Sequence, residues 1–210
     1  MDSQRAGYHH GNLREALVQA GVELAREGGP STIVLRETAR RVGVSPNAAY
    51  RHFASLPDLV DEVAKDSRRR LAETMDAELG RQKPADAVGR LTAVGRGYVR
   101  YALTEPGLFA TAFPTGGKSA AGHDEQDPAE DKRRGSFTIL REALAALDAA
   151  GILAEPMESA TFNAWAGVHG LALLLLGPYA ELPEEARESA IADGVAFVVR
   201  GLTKAPRPTG

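Results

Sequence analysis

The chain is predicted to be all-α, and three observations carry that expectation. Apolar residues recur at helical spacing in each successive segment. Gly, Pro and capping residues mark where those segments begin and end. No stretch alternates with period two between clear turns. The 210 residues suffice for one or two domains with buried cores, and the pattern divides them into residues 1–54 and 55–210.

Residues 1–7 are polar. Tyr8 and His9 lead into a first helix whose stripe of Leu13, Ala16, Leu17, Ala20 and Leu24 ends at Gly28, Gly29 and Pro30. Next comes TIVLRETARRVGVSPNAAYRHF, residues 32–53, around which the chain is organised. In it Leu35, Thr38, Ala39 and Val42 share a helical face, and Gly43 supplies a left-handed stop. Ser45 caps the following helix, with Pro46 at its first position. On that helix Ala49 and Phe53 lie on one side, while Asn47, Ala48, Arg51 and His52 point the other way. An amide, a guanidinium and an imidazole on one outward face suit a ligand rich in acceptors. Helix, Gly turn and capped second helix form a helix-turn-helix, whose second helix enters the major groove of double-stranded DNA.

Ser55, Pro57 and Asp58 start a long helix carrying Leu59, Val63, Leu71 and Met75 as far as Gly80, with Lys65, Arg68, Arg69 and Arg70 on a solvated side. Beyond Pro84, Val88, Leu91, Gly95, Tyr98 and Ala102 mark a further helix to Thr104, and Pro106 opens a short apolar one ended by Pro114. Residues 115–132 read as an acidic, mobile loop. Phe137, Leu140, Ala143, Leu144 and Leu147 mark a helix ended by Gly151. Two last helices, roughly 156–176 and 184–203, close the chain.

These last two helices hold more apolar and small residues than one buried stripe needs, with Gly167, Gly170, Ala172, Ala192, Gly194 and Ala196 flanking large aliphatics. They are expected to pack on two sides, forming a two-fold four-helix interface of a homodimer through Leu171, Leu174, Leu175, Ile191, Val195 and Val198.

Charge and composition exclude several classes. The overall charge of −3 is wrong for a DNA binder, but residues 1–53 hold 7 Arg against 5 acidic residues, while the remainder holds 18 basic against 23 acidic. That asymmetry has the sign expected if only the N-terminal part meets phosphate. With no cysteine there is no disulfide, thiolate metal site or catalytic thiol. The N-terminus has no apolar core of a signal peptide, and the run 171–176 is far below membrane-spanning length, so no membrane partner and a cytoplasmic location are expected. His9 and His10 diverge on a helix and lack a third ligand, TGGKS lacks the opening Gly of a phosphate loop, and the acidic run 124–131 lacks a calcium-loop pattern. No cofactor and no metal are expected. An enzyme is the competing class, but no nucleophile has a base and an orienting group.

The segments YHHGNLREALVQAG and LRETARRVGVSPNAAYRHF resemble the TetR family of bacterial one-component regulators, with Gly43, Val44, Ser45, Tyr50, His52 and Phe53 in family order and spacing. The later half, with YVRYALTEPGLFATAF and then Trp165, His169 and Gly170 in WAGVHG, is similar to the branch named for a Trp-His-Gly signature. The resemblance implies a homodimeric repressor of a palindromic operator, with residues 1–54 binding DNA and residues 55–210 binding a small apolar effector and dimerising. An effector-independent activator or architectural DNA binder is the alternative. By position, Pro46, Asn47, Ala48 and Tyr50 fall where members meet bases, Arg36 where some reach one, and His52 at a phosphate contact. Trp165 and His169 lie one turn apart, and with Tyr98, Tyr101, Phe109, Phe113 and Phe137 they are candidates to line the effector pocket. Plain core packing is the competing reading of these aromatics. The chain departs from the family at Val34, where Ser or Thr usually caps the second helix, leaving that work to Thr32 or to nothing. It departs again at Leu56, where many members place a phosphate-binding Lys.

Overall fold

A computed structural model describes residues 13–114 and 135–204. Tyr8, His9, His10, the TGGKS segment and the acidic run 124–131 lie outside the described residues. Among those described, the α-helices are α1 (Leu13–Gly28), α2 (Leu35–Val42), α3 (Pro46–Tyr50), α4 (Leu56–Gln82), α5 (Ala87–Thr104), α6 (Pro106–Ala112), α7 (Ser136–Ala149), α8 (Met157–Leu176) and α9 (Glu184–Leu202), with a 3-10 turn, Pro30–Thr32, between α1 and α2. The protein is all-α, and its extended pairing is confined, among described residues, to a single bridge between Leu153 and Thr203.

The chain forms two compact units, Met1–Ser67 with Gly107–Ala120, and Arg68–Pro106 with Ala121–Gly210. The division therefore falls within α4 rather than at residue 54, and the stretch containing α6 belongs with the first unit. In that unit α1 buries Leu17, Val18, Val22, Leu24 and Ala25, a broader face than the sequence stripe of Leu13, Ala16, Leu17, Ala20 and Leu24. The start of α4 adds Leu59 and Val63, which approach Gly21 of α1 closely. Gly107 lets α6 lie against the end of α1: a Cβ built there would stand 2.0 Å from the Ala25 carbonyl oxygen.

Local chemistry sets the helix ends. Gly43 takes φ 78°, and the N–H of Val44 reaches back to the Ala39 carbonyl, closing α2 with a left-handed turn. No side chain caps α2. Val34 occupies the cap, and the Thr32 hydroxyl lies 2.5 Å from the Leu24 carbonyl and 2.7 Å from that of Gly29, tying off α1 instead. Ser55 and Asp58 form a reciprocal capping box on α4, with the Ser55 N–H donating to Asp58 at 2.9 Å and the Asp58 N–H to Ser55 Oγ at 3.4 Å.

In the second unit α5 is the central helix, packed against α7, α8 and α9. Tyr98, Tyr101 and Ala102 are buried on it, and Gly97 admits the backbone of α4, since a Cβ there would lie 2.8 Å from Met75 Cα. Small residues likewise bring α8 and α9 together, with Gly167 facing Val198 and Gly194 facing Leu171. Among the described helices only α8 has the length and apolarity of a membrane span, at mean hydropathy 1.3. It packs here as a core helix, burying Ala160, Ala164, Val168, Ala172 and Leu175 against its neighbours.

Gly107→Ala forces either a backbone shift or loss of the α1–α6 contact, and is expected to lower unfolding free energy by about 1–3 kcal/mol. Gly80→Ala, with no atom within 4 Å of the added Cβ, is expected to raise it by up to about 1 kcal/mol. Urea titrations of both variants check the pair of signs.

Candidate nucleic-acid interface

α3 is five residues long and has the form the capping residues require. Ser45 Oγ accepts the Ala48 N–H at 3.2 Å, and Pro46 begins the helix. The helix is shorter than the predicted segment to Phe53: Arg51 and His52 lie in a turn, tightened by the His52 N–H bonding to Ala49 O at 3.0 Å. Ala49 and Phe53 are buried at 0% and 2% exposure and fix this segment to the unit beneath. Ser45, Pro46, Asn47, Tyr50 and Arg51 are exposed, while Ala48 and His52 are half-buried. Tyr50, at 50%, is thus not core. Arg36 is exposed on α2.

The partners of these side chains separate them from the rest of the unit. Arg14 pairs with Glu62 at 3.1 Å and lies 5.1 Å above the Phe53 ring. Arg26 pairs with Glu23, Arg40 with Glu37, and Arg41 bridges Glu27 and Glu37. The Arg40 guanidinium, followed by that of Arg41, holds the Glu37 carboxyl down at about 2. Among the described residues, Arg36, Asn47, Tyr50, Arg51 and His52 have no side-chain hydrogen bond or ion pair. Of these five donor-bearing side chains four are exposed and His52 is half-buried, while every other described arginine of the helical triad α1–α3 has a carboxylate. Leu56 is 40% exposed and supplies no charge where a basic residue was sought.

The aromatic candidates do not form one group. Tyr98, Trp165 and His169 come together: the Trp165 indole N–H donates to the Tyr98 oxygen at 3.2 Å, and that oxygen lies 2.8 Å from His169 Nδ1. The rings of Trp165 and His169 are 5.6 Å apart. Because the indole only donates, the arrangement that serves all three groups has the Tyr98 hydroxyl donating to Nδ1 of a neutral His169. Burial favours that state, lowering the His169 pKa and raising that of Tyr98. Tyr101 is buried on α5, and Phe137 is half-buried on α7. Phe109 and Phe113, whose rings pair at 5.2 Å, belong to the first unit, and Tyr98, Trp165 and His169 to the second.

The expected dimer residues also divide. Leu175, Ile191 and Val195 are 3%, 2% and 1% exposed within the chain's own core, so they offer nothing to a partner. Leu171 and Val198 are half-buried between α8 and α9, and Leu174 is 48% exposed. The large apolar side chains that do reach the surface of these helices include Phe162, Leu173 and Phe197. Sequence reading also missed Glu78, buried on α4 among Arg81, Gln82 and Arg100, with Arg100 continuing to Glu188 at 3.2 Å. Its helical spacing from Leu71 and Met75 was the available signal.

Two family models match the chain: "Bacterial regulatory proteins, tetR family" over residues 17–63, and "Tetracyclin repressor-like, C-terminal domain" over residues 91–195, half its length. The chain belongs to the TetR family of bacterial transcription regulators, and its helix-turn-helix is a DNA-binding one. No curated protein matches it. Among solved structures, a protein of unknown function from Rhodococcus sp. RHA1 is 25% identical, with TM-score 0.72 over 96% of this chain and 100% of that one. A TetR family transcription regulator from Marinobacter aquaeolei VT8 is 16% identical, with TM-score 0.65 over 91% and 96% of the two chains. The TetR family transcriptional regulator PfmR from Thermus thermophilus is 19% identical, with TM-score 0.57 over 90% and 99%. These last two establish likeness of fold alone.

The His169 environment carries a pH prediction. Its pKa is lower folded than the ordinary 6.5, so below that value the unfolded chain binds the proton more readily. Its contribution to stability is complete above about pH 6.5 and is lost as pH falls. Melting temperature is expected to drop on acidification from about pH 7 to about pH 5 and to drop less in His169→Gln.

Proposed function

We propose that the protein is a cytoplasmic, ligand-responsive transcriptional repressor that binds a palindromic operator as a homodimer, and not an enzyme. The observation that carries the DNA half of this reading is the set of unpartnered donors Arg36, Asn47, Tyr50, Arg51 and His52 beside a capped, buried-in α3. Asn47 has the two-way hydrogen-bonding edge that fits adenine, Pro46 and Ala48 offer apolar contact to thymine methyls, and His52 and Arg51 suit phosphate. In single-base operator variants, Asn47→Ala is expected to cost about 1–3 kcal/mol at one position and relax preference there. His52→Ala is expected to weaken all variants by a similar factor. An unchanged base profile in Asn47→Ala would refute this division of roles.

The dimer half rests on the exposed Phe162, Leu173, Leu174 and Phe197 of α8 and α9, with open space above Gly170 and Gly201. A second copy related by two-fold symmetry would cover that face with its own. Phe197→Asp, at a side chain 73% exposed in the single chain, is expected to leave the fold intact, convert dimer to monomer in sedimentation, and weaken operator binding, because a monomer engages one half-site. The effector reading rests on the Tyr98–Trp165–His169 cluster, in which Trp165 and His169 are residues of the Trp-His-Gly signature and Tyr98 is hydrogen-bonded to both. Ligand-dependent release from DNA by the native chain, lost in Trp165→Ala with ligand-free affinity retained, supports it.

A further inference from the structure

Arginines in the first unit are paired with different degrees of redundancy. Arg41 is lodged between helices, bidentate to Glu27 of α1 at 2.7 and 2.8 Å and 3.3 Å from Glu37 of α2. Arg40 is bidentate to Glu37 alone, at 2.7 and 2.8 Å, with a side chain 74% exposed. If Arg40 leaves, Glu37 keeps Arg41 and Arg41 keeps Glu27, so no carboxylate is stranded. Arg40 also lies four residues after Arg36, on the same face of α2, where Arg36 has no hydrogen-bond or ion-pair partner among the described residues.

We propose that Arg40 is a phosphate-binding residue held in reserve: on DNA its guanidinium exchanges Glu37 for a backbone phosphate, and Glu37 is the competitor that restrains it. The proposal rests on the DNA-binding reading and adds a residue and a restraint to it. Energetics favour the exchange. An exposed ion pair contributes little net stability in water, whereas each phosphate neutralised releases condensed counterions. The exchange also suits non-specific contact, because a phosphate carries no base identity.

The test uses the full chain and a fluorescent mixed-sequence DNA duplex titrated over a series of KCl concentrations. Arg40→Gln is expected to reduce the slope of log affinity against log salt by about 0.9 for each chain bound, and Arg40→Lys to retain it. Glu37→Gln is expected to tighten binding several-fold at low salt, with that gain largely lost when Arg40→Gln is combined with it. Circular dichroism confirms that each variant is folded, and Glu37→Gln alone still tests the restraint should Arg40→Gln unfold. An unchanged slope in Arg40→Gln overturns the proposal, as does an equal gain from Glu37→Gln with and without Arg40, which would mean that Glu37 acts only through its field. If Arg51→Gln lowers the slope and Arg40→Gln does not, the DNA-binding reading stands and this proposal alone fails. If native affinity does not depend on salt, both fail.

Discussion

A five-residue helix cannot hold its own shape in water, because nucleation costs more than so few internal hydrogen bonds return. α3 therefore depends on what fixes its ends and underside: the left-handed turn at Gly43, the Ser45 cap, and the buried Ala49 and Phe53. Phe53 is held in turn under Arg14, which is tied to Glu62 of α4. The surface residues of α3 are thus positioned by elements around them, and they spend no bonds on the scaffold. That division is what allows Asn47, Tyr50, Arg51 and His52 to remain unsatisfied without destabilising the unit, since at the surface water substitutes for the missing partner.

Much of this was legible in sequence because it rests on local chemistry. The Gly43 stop, the Ser45–Pro46 start, the Ser55–Asp58 box and the Gly151 turn at φ 71° are written in residues adjacent to the bond they make. What one sequence does not contain is the direction a helix faces once two neighbours compete for it. α8 is apolar on nearly every side, so its pattern does not say that Val168, Ala172 and Leu175 face inward while Phe162, Leu173 and Leu174 face out. The same ambiguity placed Ile191 and Val195 on an interface when they belong to the core. α4 shows the opposite case: Glu78 is on the buried face by period, but a carboxylate is read as exposed until Arg81 and Arg100 are seen beside it. Thr32 is a third kind of miss, a capable cap residue whose hydroxyl is already engaged by the carbonyls of Leu24 and Gly29.

The distribution of charge has a consequence for specificity. Net charge per unit only sets the sign of attraction; the pairing state of each arginine decides which cations meet DNA at little cost. Arg14 and Arg41 each link two helices through a carboxylate and would give up that link on leaving, whereas Arg36 and Arg51 have no such pair among the described residues. A surface in which most arginines were unpaired would bind any duplex, because phosphate attraction is blind to sequence. Engaging several of them within the chain lowers that background, and under the proposed reading it leaves a larger share of the binding free energy to the proposed base reader Asn47.

α4 contributes residues to both units, with its capping box in the first and Glu78 in the second. α4 runs over 27 residues, Leu56–Gln82. In the proposed switch, an effector shifts the equilibrium only by its difference in affinity for two arrangements of the second unit. Glu78 opposes any such rearrangement that leaves it behind, because a buried carboxylate parted from Arg100 and Arg81 is uncompensated. The Tyr98 cluster adds a second constraint with neutral groups, since one hydroxyl accepts from Trp165 and lies within hydrogen-bond reach of His169. α5 thus carries two polar constraints within the second unit, the Arg100–Glu78 pair to α4 and the Tyr98 hydrogen bonds to α8, and any rearrangement of α5 in the proposed switch must carry both along or break them.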